Sequence, residues 1–146
     1  MESILLVATV FSAIAAVGSW FSAKQQCSNE LFRYKVRHIS KLKNIWKLFN
    51  SNIKHISNYK TTIEVLNKTS KDVIISMEQC IEELLLNNIE TKKLFGNKVN
   101  KIELSFIESL KDVIPSSEDW STYHITEQYE RSVRIYKDLC REFDKI

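Results

Sequence analysis

Residues 3–23 form a run of 21 positions without a charged side chain. A helix rises about 1.5 Å per residue, so such a run spans roughly 30 Å, the hydrocarbon thickness of a bilayer. A core helix of a soluble domain keeps a polar face for water, and this run has none. Trp20 and Phe21 fall where the helix would leave the hydrocarbon, at the interface aromatic side chains favour. Ala16, Val17 and Gly18 have the small-residue look of a cleavage site. Against cleavage, Glu2 precedes the run with no Lys or Arg, whereas signal peptides start basic. The expectation is an uncleaved single-pass anchor over residues 1–23.

Charge is unevenly distributed along the chain. Residues 24–60 hold nine Lys or Arg and one acid, Glu30, for a net +8. Residues 61–146 hold twelve bases and sixteen acids, for a net −4. The bases nearest the apolar run are Lys24, Arg33, Arg37, Lys41, Lys43 and Lys47, together with Lys35. By the positive-inside rule they belong on the cytoplasmic side. The expected location is the cell inner membrane, with the N-terminus outside and the body, residues 24–146, in the cytoplasm. The Lys-, Asn- and Ile-rich composition and plain anchor suggest a bacterial source.

The apolar run has an internal pattern. Ala8, Ser12, Ala15, Ser19 and Ala23 recur at spacings of 4, 3, 4 and 4, which places them on one helical face. Small residues let helix backbones approach closely, and serine hydroxyls bond across helices in a bilayer. This stripe is read as a packing seam for a homo-oligomer or a partner span.

Two glycines and one proline in 146 residues argue against turn-rich β folds and for long helices. Apolar positions Ile39, Leu42, Trp46, Phe49, Ile53 and Ile56 alternate spacings of 3 and 4, a coiled-coil-like stripe. The body is expected to form four helices, at about 24–66, 71–93, 98–113 and 118–144. Thr69 with Asp72, and Ser116 with Asp119, resemble capping boxes at two of the starts. Gly96 and Pro115 mark two breaks. The fold class is therefore all-α: one N-terminal transmembrane helix continuing into an antiparallel helical bundle or coiled-coil-like hairpin. The first helix is longer than its neighbours, so part of its stripe is expected to pair with another copy, another protein or the membrane.

Motifs for chemistry are few. His38, His55 and His124 form no HExxH or HxxxH pair, and one reversed His124-x-x-Glu127 does not supply a di-metal carboxylate set. Cys27, Cys80 and Cys140 contain no CxxC and read as reduced thiols, although a single 27–140 or 80–140 bridge remains open. No glycine-rich phosphate loop is present in the sequence. The chain is read as non-enzymatic, without metal or cofactor.

The basic juxtamembrane residues have three readings: a topology signal on a solvated face, a surface for anionic lipid, or an anion or nucleic-acid site. Trp46 and Phe49 lie on the apolar face, which disfavours base stacking. Glu78, Glu82, Glu83 and Glu90 are acids those bases would meet within the chain. One N-terminal span followed by a long helix resembles phage inner-membrane spanins. That resemblance implies an envelope protein with its helices outside the cytoplasm, opposite to the orientation the basic flank predicts. The leading expectation is a membrane-anchored, self-associating helical protein. It would scaffold, recruit a soluble protein partner or perturb the membrane, as a small defence or toxin effector does. The alternative is a ligand- or nucleic-acid-binding module built on the basic helix.

Overall fold

The computed structural model describes the backbone of residues 2–58, 63–114 and 122–145, and the side chains of 12, 14–54, 71–114 and 126–145. Among the described residues every regular element is a helix. These are α1 (Glu2–Asn58), α2 (Ile63–Asn88), α3 (Thr91–Phe95), α4 (Asn97–Val113) and α5 (Thr122–Phe143).

Three features differ from expectation. Residues 67–70, expected as a break, lie inside α2. Asn, Thr and Ser cost only tenths of a kcal/mol each in a helix interior, roughly 0.7 at most, so without Gly or Pro nothing there forces a stop. The first helix ends at Asn58 rather than near residue 66. The expected 71–93 helix is also split: α2 stops at Asn88 and α3 follows as a short separate turn. Gly96 then takes φ 87°, a conformation side-chain-bearing residues resist, and α4 starts behind it. Ile114 is extended ahead of Pro115, as steric clash with the proline ring requires. The Ser116 and Asp119 capping pair lies outside the described residues.

Contacts divide the chain into two units, Met1–Val36 and Arg37–Ile146. In Met1–Val36 every described large apolar side chain is exposed, Trp20 at 58% and Phe21 at 60% among them. Among the described residues no helix is long and apolar enough to cross a membrane. The side chains of residues 1–11 and 13, which include nearly half of the charge-free run, lie outside that description.

Arg37–Ile146 is an antiparallel bundle, as its cross-helix pairs demonstrate. His38 meets Asn87 while Asn52 meets Ser76, so α1 and α2 run opposite ways. Lys98 pairs with Glu142 and Asp112 with Arg131, so α4 and α5 do too. His38 reaches Glu103 and Trp46 reaches Phe106, which makes α1 and α4 parallel. The order is up, down, up, down.

The core is an aromatic cluster centred on Trp46. Its ring centroid lies 5.2 Å from that of Phe106, 5.0 Å from Tyr136 and 6.1 Å from Tyr129. Leu42, Phe49, Met77, Leu84, Leu110 and Leu139 are fully buried around it. Each such side chain contributes about 1.5–3 kcal/mol by leaving water.

Burial and a hydrogen bond with the Cys140 side chain push the Tyr136 hydroxyl well above the ordinary tyrosine range. Burial raises Tyr129 as well. A raised folded-state value stabilises the fold below the unfolded tyrosine's pKa of about 10, and that stability is lost as pH rises beyond it. Thermal unfolding should therefore fall steeply above about pH 10. Tyr136→Phe, which keeps the ring, should flatten the fall; an unchanged slope in the melting profile would refute the assignment. Cys80, raised by burial and then by Glu83, adds a smaller loss starting near its own ordinary range.

Candidate functional site

The anticipated site residues divide between the two units. Of the seam, Ser12, Ala15, Ser19 and Ala23 are exposed, and Ala8 lies outside the described side chains. Ser19 Oγ donates to the Ala16 carbonyl at 2.9 Å, so its proton is used within its own helix and only its lone pairs remain for a neighbour. Lys24, Arg33, Arg37, Lys41, Lys43 and Lys47 are all exposed. The Lys24 ammonium sits over the Trp20 ring, 5.1 Å from its centroid.

Most of the described stripe on α1 lies in the bundle core. Leu42, Trp46, Phe49 and Ile53 are buried in the bundle and Ile39 is half-buried, while Ile56 lies outside the described side chains. The part of the stripe from Leu42 to Ile53 thus finds its cover inside the chain and is not left over for a second copy. Buried in this way, Trp46 and Phe49 present no free ring face to a nucleic-acid base.

The structure also brings together a group that pattern reading did not assemble. His38 on α1, Asn87 at the end of α2, Thr91 opening α3 and Glu103 on α4 converge at one end of the bundle. Thr91 Oγ1 donates to Glu103 Oε2 at 2.9 Å. His38 Nε2 lies 3.0 Å from Thr91 Oγ1, 3.3 Å from Glu103 Oε2 and 3.2 Å from Asn87 Nδ2. Thr91 and Glu103 are fully buried and His38 is 5% exposed, so water does not compete for these bonds. The Phe95 and Phe143 rings wall the imidazole, with centroids 5.2 and 6.5 Å away.

The bonding roles follow from the donors available. With its proton given to Glu103, Thr91 can only accept from His38, which requires a proton on Nε2. That proton faces the carboxylate and the hydroxyl together. In that state the Asn87 amide must turn its oxygen toward the ring; with a bare Nε2, its Nδ2 donates instead. Glu103 Oε1 is buried without a partner, as is Asn88 Nδ2.

Threonine, histidine and glutamate are also the parts of a nucleophile relay, but this geometry differs from one. In a relay the imidazole uses one nitrogen for the nucleophile and the other for the carboxylate. Here Nε2 serves both. The cluster ties α1, α3 and α4 together through buried polar bonds.

A sequence signal for this cluster existed. Val99, Glu103, Phe106, Leu110 and Val113 keep a 4-3-4-3 spacing, with the acid in the middle of the apolar seam. His38, Leu42, Ile45, Phe49 and Asn52 keep the same spacing on α1. A lone acid and a lone histidine at seam positions of two helices invite pairing.

The cysteines are all free: Cys27 exposed, Cys80 buried and Cys140 half-buried. Among the described residues no group of three or more His, Cys, Asp or Glu is placed to hold a metal ion. The His124 side chain lies outside the described residues. No known family, curated protein or solved structure matches this chain.

Proposed function

We propose that the chain is a membrane-anchored, self-associating helical protein whose bundle, Arg37–Ile146, serves as a scaffold or recruiting module on the cytoplasmic face. The observation that carries this reading is the charge-free run of residues 3–23, supported by the exposure of Ile14, Val17, Trp20 and Phe21. Each exposed side chain of this size gains about 1.5–3 kcal/mol on leaving water, so the helix is driven toward lipid or protein. Trp20, with the Lys24 ammonium over its ring, suits the level where hydrocarbon meets headgroups. The bases that follow favour an inward-facing body.

Self-association is assigned to the seam of Ala8, Ser12, Ala15, Ser19 and Ala23. Leucine at the first four positions would hold neighbouring helices apart and should weaken span association roughly tenfold, the scale of interhelical contacts in lipid. Cross-linking through the exposed Cys27 reads this out. Unaltered cross-linking yield in the leucine variant would remove the seam from the proposal.

A further inference from the structure

We infer that the outer face of α2 is a docking surface for residues 24–37 of α1 in a second copy of the chain. This deepens the self-association reading and rests on it. Opposite its buried side, α2 exposes Ile75, Leu85 and Leu86, the last at 64%, and Ile89 in the turn that follows is 74% exposed. Residues 75–90 carry four acids, Glu78, Glu82, Glu83 and Glu90, and no base. All four carboxylates are exposed, and the bundle's ion pairs among the described residues use other groups. Residues 24–37 are the complement: Leu31, Phe32, Tyr34 and Val36 are exposed, and four bases against Glu30 give a net +3.

The lengths agree, about 21 Å for the basic segment and about 24 Å for the acidic face at 1.5 Å per residue. The spacing also agrees. Arg33 and Arg37 are one turn apart, as are Glu78 and Glu82. Laid antiparallel, the helices bring Arg37 beside Glu78 and Arg33 beside Glu82. Anionic lipid would satisfy the basic segment but repel the acidic face, whereas a second copy satisfies both.

The test uses the full chain in detergent micelles, with association read by sedimentation. One protein carries Arg33→Glu and Arg37→Glu, the other Glu78→Arg and Glu82→Arg. All four side chains are exposed, so circular dichroism and unfolding midpoints should match the unsubstituted chain. Each altered protein alone should associate roughly tenfold or more weakly, because like charges now face each other. Mixing the two should restore association, since both pairings in the mixed dimer are again opposite in sign. Restoration excludes docking within one chain.

Undiminished association in the separate proteins, with the leucine seam variant dissociated, would overturn this surface and leave the seam standing. Weakened association that mixing fails to restore would overturn it as well. A monomeric unsubstituted chain would overturn both. Undiminished association with lost retention of the Arg33, Arg37 variant on phosphatidylserine vesicles would assign those arginines to lipid and overturn the docking surface.

Discussion

His38→Ala is expected to lower the unfolding free energy by about 1–3 kcal/mol, the cost of leaving a buried polar group without its partner. Glu103 has no exposure and a second oxygen already without a partner, so it has no water to turn to when the imidazole goes. Thr91 still donates to it, but one hydroxyl does not make up for the lost partner of a fully buried polar side chain. Glu103→Ala should cost a similar amount, by opening a cavity against His38 and Phe106 and orphaning Thr91. The informative variant is the double one. Replacing both residues by apolar side chains of similar volume, His38→Leu with Glu103→Met, should recover most of the loss, because two desolvation penalties disappear together. Denaturant unfolding of the four proteins in a mutant cycle gives the coupling directly. If His38→Ala costs less than about 1 kcal/mol, within the range of surface ion pairs, the cluster is not a buried tie.

Trp46→Ala should cost about 3–5 kcal/mol, the range for large aromatic truncations in cores. This one side chain on α1 touches Phe106 on α4 and both Tyr129 and Tyr136 on α5. Its removal therefore loosens α1 from two helices together, and the near-ultraviolet circular dichroism should collapse before the helical signal does. Trp46→Phe should cost less, since the smaller ring keeps part of the contact. Leu48, on the same helix and 52% exposed, supplies the contrast. Leu48→Ala should change stability by no more than about 0.5 kcal/mol, as surface substitutions generally do. Equal costs at the two positions would mean that α1 is not packed as described.

Helix content was legible because so few residues break helices. Gly96 and Pro115 were correctly read as breaks because each acts through its own covalent geometry. The end of α1 was misplaced because a capping pattern is permissive rather than compulsory. Thr69 with Asp72 has the spacing of a cap yet lies inside α2.

The core stripe was readable at Leu42, Trp46, Phe49 and Ile53, but its role was not. A 3-4 spacing shows that a face is buried and does not say by whom. The face turned out to be covered by α2, α4 and α5 of the same chain. The polar cluster was missed for a related reason. Ile102, apolar and next in sequence, competes for the seam position on α4, although the 4-3-4-3 spacing itself selects Glu103. A buried acid becomes reasonable only when its partner is known, and His38 lies 65 residues away in sequence.

The central claim, that residues 3–23 hold the chain in a bilayer with the bundle inside, is tested most directly by membrane extraction with thiol labelling. Cys27 is the natural reporter, being exposed where Cys80 is buried and Cys140 half-buried. The expected result is a chain that stays in the membrane pellet through alkaline carbonate washing. A membrane-impermeant maleimide should label Cys27 in inverted vesicles and not in intact cells. Release of the chain into the wash would contradict the anchor, and labelling from outside intact cells would place the bundle on the opposite side, as in a spanin.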